Sequence, residues 1–462
     1  MRLDPPIRQK TTLRKVLLIA QHFPPDIHPG AKRLGKFAKY LPSYGWQPLV
    51  LTKQVQYYHG IDQTLLKDFD SRLAVHRISE WHLGNSHKGR SKSTQIQSDR
   101  DHMTLGHILS RWFYRLSHTL DFAWLFPAFC KGLWLTIREP IDIILTSYPT
   151  QDALIVGLLV KLVTGKKWVV DFRDLSPSFP SGVRGRSEGI ALRLVADKIL
   201  DKIIVRKADI ITVVGKRMRQ DMIDVFGPKI SGKVYVVYNG YDPTDFELAK
   251  NCPPKGYPGI VDGTFIITYL GSWTTLDTPE YFLRALGRLL RKRACLQNKI
   301  RFIQIGEVRY DSILSQLIPR WIREEKLSEV VLSLPYLSHA EALSWLKVSS
   351  VALIVQNGII GCPGATDHAL PSKGFEYLWA RKPILALAPL QGELAHLIRA
   401  CNAGEVVAPT DIDAIEKAIY SMYMAFKNGT LDRNMNLSVI EKFDRRRQTE
   451  VLSSVLDTLL MK

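Results

Sequence analysis

An α/β chain of two doubly wound units is the fold class this sequence predicts, and three observations carry the prediction. Short apolar runs of strand length alternate with longer amphipathic stretches, the pattern of parallel sheets covered by helices. The alternation runs to about residue 239 and then restarts at residue 265. Between the two lies "YNGYDPTDFELAKNCPPKGYPG", where Gly, Pro and Asn cluster as in turns and linkers. Residues 1–245 and 246–440 are therefore read as two Rossmann-like domains, followed by a closing helix over 441–462.

Taken in order, "KVLLIA" (15–20) is a buried parallel strand, the loop "QHFPPDIHPGAKR" leads into the helix "LGKFAKYLPSYG", and "PLVLT" is a second strand. Strands follow at "DIILTS", "KWVVDF", "DIITVV" and "VYVVYN", separated by helical stretches such as "QDALIVGLLVKLVTG". The second round has strands at "FIITYLGS", "IRFIQIG", "VVLSLPY", "VALIVQ", "PILALAP" and "GEVVAP", with helices between them. The polar stretch from Trp81 to His102 reads as a mobile surface insertion. Two such domains in tandem place a ligand cleft at the carboxyl ends of their strands.

Composition narrows the function. The chain has 462 residues, 46% of them hydrophobic, enough for two cores. No run reaches the roughly 18 apolar residues of a membrane span, and "MRLDPPIRQKTTLRK" lacks the apolar core of a signal peptide, so a cytoplasmic protein is expected. Five scattered cysteines without a CxxC pair indicate buried thiols, with neither a disulfide framework nor a zinc site. Net charge is +19, and it is unevenly placed: residues 1–240 carry 37 Lys and Arg against 20 Asp and Glu, the remainder 26 against 24. The first domain is thus expected to face something anionic, such as a membrane surface or a phosphate-bearing substrate. No nucleic-acid-binding signature accompanies the charge, and nucleic acid ranks last among the partners.

The stretch "PSKGFEYLWARKPI" (371–384) reads as a helix start with Ser372 as its cap, one or two turns, and a strand entry. On a helical wheel Lys373, Glu376, Tyr377 and Ala380 share one face, and Phe375, Leu378 and Trp379 the other. Taken alone, the polar face is equally an i,i+3 ion pair worth a few tenths of a kcal/mol.

Together with "FPPDIHPGAKRLGKFAKYL", "TSYP", "VVDFRDLSP", "VYVVYNGYDPTDF" and "YLGSW", the segment "LPSKGFEYLWARKPILA" resembles, in order and over most of the chain, two-domain glycosyltransferases of the GT-B fold. The similarity points to the large retaining group numbered family 4, in a form common among bacterial cell-surface polysaccharide enzymes. It implies a hexosyl transfer from a nucleotide-diphosphate sugar to a glycan or lipid-linked acceptor, without a metal or other cofactor. It also implies roles. Glu376 would accept the ribose hydroxyls, and Ser372, Lys373 and Gly374 would hold the diphosphate at a helix N-terminus. Gly30, Gly271 and Ser272 would give the phosphates close backbone approach. Asp171, Arg173 and Asp174 would line the acceptor side as the catalytic group, with Arg33 or Arg173 reaching toward phosphate.

Two departures stand out. The family pairs two glutamates with seven residues between them, whereas His368, beside Asp367, stands eight positions before Glu376. An Arg and a Lys usually follow the "YLGS" glycine, whereas "SWTTLDTPEY" has neither. A non-catalytic nucleotide-sugar-binding or scaffold protein, or a nucleotide-sugar epimerase, is the competing reading. Asn239, Gly240 and Asp242 read as hinge residues, and His22 and His28 as loop histidines near the cleft.

Overall fold

The computed structural model describes residues 13–58, 60–80, 122–176, 190–252, 254, 261–274, 277–306, 313–358, 366–432 and 434–461. The insertion expected at 81–102 lies outside them, as does Cys362. The first sheet contains β1 (Arg14–Ile19), β2 (Trp46–Lys53), β3 (Ala74–Ile78), β4 (Ile141–Tyr148), β5 (Lys167–Phe172), β6 (Ile210–Val213) and β7 (Val234–Val236), in spatial order β3-β2-β1-β4-β5-β6-β7. The second contains β8 (Phe265–Leu270), β9 (Ile300–Ile305), β10 (Val331–Leu334), β11 (Val351–Val355), β12 (Ile384–Leu387) and β13 (Gly404–Val407), in order β10-β9-β8-β11-β12-β13. The paired strands run parallel in both. In each sheet the winding reverses at its centre, between β1 and β4 and between β8 and β11, which opens a crevice at the carboxyl ends.

Continuous apolar runs make these strands because both faces of each sheet are covered. Along β1, Leu17 and Ile19 enter one core while Val16 and Leu18 enter the other. The first core is closed by the helices Phe122–Arg138 and Gln151–Thr164. The second is closed by the helix Pro29–Tyr40 and by the C-terminal helix Arg445–Leu460, whose Leu452, Val455, Leu456 and Leu459 pack with Leu34 and Phe37. Asp457 fastens this last helix by accepting from Trp46 Nε1 (2.9 Å) and Arg14 (2.6 Å). Edge strand β3, "AVHRI", is half-buried along its whole length and carries His and Arg, so it lacks the apolar run that announces the others. Of the cysteines, Cys401 alone among the described residues is buried; Cys130 and Cys295 are exposed, contrary to the expectation of buried thiols.

Arg33 locks the first domain. Its guanidinium, 1% exposed, donates to both oxygens of Asp171 (3.0 and 2.8 Å), to the carbonyls of Val237 (2.8 Å) and Tyr238 (2.9 Å), and to Asn239 Oδ1 (3.2 Å). One side chain thereby joins the first helix, β5 and the segment after β7. That segment crosses to the second domain against the chain that returns from it: Tyr241 N–H donates to Phe443 O (3.1 Å), and Arg445 N–H donates to Tyr241 O (2.9 Å). Gly240 permits the crossing, because a Cβ there would lie 2.0 Å from Phe443 O. Beside it Lys36 Nζ meets Asp68 (2.5 Å), Asp242 (2.8 Å) and Asp245 (2.5 Å). Burial pulls the Lys36 pKa down, but the three carboxylates outweigh it and the pKa is raised.

Removing one partner of a buried pair strands the other charge. Asp171→Ala is expected to lower the unfolding free energy by about 3–5 kcal/mol, measured by urea denaturation. A change within experimental error would show that Arg33 finds other compensation.

Candidate active site

Strands β8 and β9 end in Gly271 (φ +130°) and Gly306 (φ +134°), a left-handed region that favours glycine. A Cβ on Gly306 would sit 2.7 Å from the Gly271 carbonyl, and one on Gly271 would sit 3.1 Å from Lys373 Nζ. Buried Gln304 ties the two strand ends together through Nε2 to Gly306 O (2.5 Å) and Gly271 O (3.3 Å). The Gly271 N–H donates to Ile305 O, so the glycine supplies room rather than a free amide, while Ser272 beside it is exposed.

Helix Ser372–Trp379 projects toward this turn, anchored where the Leu270 N–H donates to Tyr377 Oη (2.9 Å). Three expectations about it are corrected. Pro371 occupies the capping position and Ser372 is already helical, so no side chain caps the start. Tyr377 is fully buried and belongs with the packing face, because its ring lies in the core and its hydroxyl serves the strand end. Gly374 faces inward, where a Cβ would meet Ile354 Cδ1 at 3.3 Å, and its N–H donates to Pro371 O; it closes the helix onto β11 rather than backing a phosphate.

Lys373 and Glu376 make no ion pair with each other. The Lys373 ammonium stands 3.8 Å from the centroid of Tyr269, which stacks on Trp273 at 3.7 Å. Burial depresses the Lys373 pKa to about 8, against the opposing pull of Asp277 and Glu376. Among the described residues its nitrogen makes no hydrogen bond. Glu376 Oε1 lies 2.8 Å from His339 Nε2. Burial would raise the Glu376 pKa, but His339, Lys32 of the first domain and Arg445 outweigh it and hold the carboxyl at about 2. Arg445 is itself 4% exposed, and its Nη1 finds no partner among the described residues.

The first domain presents Arg173 at the end of β5. Its Nε donates to Ser147 Oγ and Tyr148 O, both at 3.0 Å, and its guanidinium covers Gly30, where a Cβ would meet Nη1 at 1.7 Å. The space at Gly30 is therefore filled by Arg173, and the Gly30 N–H donates to His28 Nδ1 (3.1 Å); Gly30 does not offer its backbone to a ligand. Asp171 is 1% exposed and also accepts from Ser147 Oγ (3.1 Å) and Thr212 Oγ1 (2.7 Å), so its oxygens are taken up in holding Arg33, contrary to the expectation that it lines the acceptor side. Arg33 is equally occupied and does not reach the cleft. Asp174 is exposed. Across from it stands His368, whose pKa is lowered by burial against the influence of Asp221, Asp174 and Asp367, and whose buried Nδ1 has no partner among the described residues. His22 stacks on His28 at 3.9 Å and is held by Asp26, as a loop brace.

The structure thus gathers Gly271, Ser272, Lys373 and Glu376 on one side, with Arg173, Asp174 and His368 where the domains meet. His339, Asp277 and Gln304 escaped the sequence reading, since each acts through a residue remote in the chain. Among the described residues one carboxylate trio, Asp68, Asp242 and Asp245, is close enough to share a cation, and Lys36 already lies among all three. A separate groove of about 460 Å³ between the domains is lined by Lys216, Arg217, Tyr238, Leu370, Glu393 and Phe443, and excludes Lys373 and Glu376.

No protein-family model matches the chain, and no curated protein matches it by sequence. Solved structures match it in fold. Sucrose-phosphate synthase from Thermosynechococcus elongatus superposes with a TM-score of 0.66 at 14% identity, over 97% of this chain and 99% of that one. HepE from Anabaena, in complex with UDP-glucose, gives 0.63 at 16% identity over 97% and 100%. A glycosyltransferase from Rickettsia africae gives 0.62 at 14% identity over 97% and 99%. The fold class is GT-B: two Rossmann-like domains facing each other across a cleft.

A diphosphate bound by Lys373 requires the ammonium form. Its affinity is expected to be near maximal at pH 7 and to fall about tenfold per unit once pH rises above about 8, with proton uptake on binding in calorimetry. A flat profile from pH 7 to 9.5 would remove Lys373 from the contact.

Proposed function

We propose that this chain is a retaining glycosyltransferase that moves a hexose from a nucleotide-diphosphate sugar onto a glycan or lipid-linked acceptor of a surface polysaccharide. The observation that carries the proposal is the placement of an unbonded, half-buried Lys373 and an ionised Glu376 one helical turn apart, beside the open Gly271–Ser272 turn. A diphosphate and a ribose are neighbours at that spacing.

In this reading Glu376 accepts the ribose hydroxyls, with His339 holding one of its oxygens in place. Lys373 and the uncapped helix start take the charge that develops on the leaving diphosphate, a task for which fixed cations and dipoles suffice without a metal. Arg173 faces the same charge from the first domain. His368, a neutral imidazole with a free nitrogen, is placed for a sugar hydroxyl, and Asp174 for the acceptor. The acceptor oxygen attacks the anomeric carbon on the face from which the diphosphate departs. The C–O bond to phosphate breaks as the new one forms, and the departing phosphate oxygen receives the acceptor's proton.

Glu376→Gln keeps the side chain's size and loses its charge. Since hydrogen bonds to a charged group are worth about 1.5–3 kcal/mol, nucleoside diphosphate affinity is expected to fall roughly 10–100-fold with the melting temperature little changed. Unchanged affinity would end the ribose assignment.

A further inference from the structure

We propose that the outer face of the helix Phe122–Arg138, together with the end of the helix Gln151–Thr164, docks the protein on an anionic membrane surface. A helix covering a sheet normally turns its polar side outward. Here the outward residues are apolar: Phe122 is 45% exposed, Trp134 46% and Ile137 75%, and on the neighbouring helix Leu162 is 57% and Val163 61%. Gly132 brings the two helices into contact, its missing Cβ lying 3.3 Å from Val160, and both run antiparallel to β4, which separates them in sequence. Trp134 and Ile137 therefore stand level with Leu162 and Val163 and form one patch. Along the helix the stripe extends over roughly 23 Å, from the level of the strands' carboxyl ends at Phe122 to the opposite end at Ile137.

Charge selects the occupant. The helix Phe122–Arg138 contains no acidic residue. Lys131 and Arg138 flank Trp134, at 3.8 and 5.6 Å from its ring centroid, and Lys166 and Lys167 follow the second helix. The acidic groups near this end are already engaged: Glu139 by Lys15, Asp209 by Lys161, and Asp142 by the Lys15 N–H. An apolar stripe carrying Trp and Phe with basic residues along it suits the headgroup boundary of an anionic bilayer, where the rings enter and the cations meet phosphate. Among the described residues no helix is long and apolar enough to cross a membrane, so the contact would be peripheral. The contact goes beyond the donor-site reading: its basic, most exposed part lies at the amino ends of the strands, away from the cleft.

The test is flotation of the full chain with phosphatidylglycerol–phosphatidylcholine vesicles, compared with phosphatidylcholine alone. Wild type is expected to float with the anionic vesicles and to be released by high salt. Lys131→Gln with Arg138→Gln removes two charges, each worth about 1 kcal/mol, and is expected to weaken partitioning about thirtyfold. Ile137→Ser with Leu162→Ser is expected to abolish insertion, read as lost quenching of Trp134 fluorescence by brominated lipid. These side chains are exposed, so the circular dichroism melt should be retained. Folded wild type that ignores anionic vesicles, or binds them as well in both variants, would overturn the proposal. So would a concentration-dependent dimer broken by Ile137→Ser, which would assign the face to a second copy. Nucleotide binding is read separately, and neither outcome decides the other.

Discussion

The buried contact between Arg33 and Asp171 is the constraint on which the first domain depends. A guanidinium taken from water costs several kcal/mol unless its donors are satisfied, and here the partners come from β5 and from the chain just before the hinge. The first helix is thereby fixed in rotation and depth. Gly30 in its first turn comes to lie under Arg173, and Lys32 comes to face Glu376 across the domain boundary. Asp171, which sits in the most motif-like stretch of the sequence, is thus occupied in holding Arg33.

The second domain solves a different problem, that of presenting charge without neutralising it. Lys373 has no carboxylate in bonding distance among the described residues; an aromatic face holds its ammonium and burial weakens its basicity. Such a group is poised to gain from an incoming anion, because ligand charge would relieve its desolvation. Glu376 is treated in the opposite way, with His339, Lys32 and Arg445 from three elements keeping it ionised. The glycine after β8 leaves room beside the Lys373 ammonium, and the one after β9 lets the two strand ends approach closely. Asp277 occupies the loop where the resembled family carries cations, and Lys373 moderates the rise that burial imposes on the Asp277 pKa.

The fold was legible because buried parallel strands leave continuous apolar runs, and twelve of the strands coincide with such runs in position and order. β3 was not, since an edge strand holding Arg77 and His76 carries no such signal. The helix at 372–379 was legible as an element but misread in detail. Pro371 rather than Ser372 holds the cap position, and a wheel assigns direction without knowing that Tyr377 has a partner in β8. Contacts between distant segments were the hardest to see. His339 with Glu376, and Arg33 with Asp171, join residues 37 and 138 positions apart, and no local pattern encodes either. The charge asymmetry was visible in composition, but the apolar face that gives it a direction required the packing of two helices.

In the proposed function a nucleoside diphosphate rests between the Gly271–Ser272 turn and the start of the helix at 372. Amide hydrogen exchange with and without a saturating nucleoside diphosphate tests it most directly, because it reports where the ligand sits independently of turnover. Protection concentrated in 269–274 and 371–379, with a smaller effect at 339–343, is expected. Protection confined to the groove around Lys216, Glu393 and Phe443, or none anywhere at saturating ligand, would contradict it.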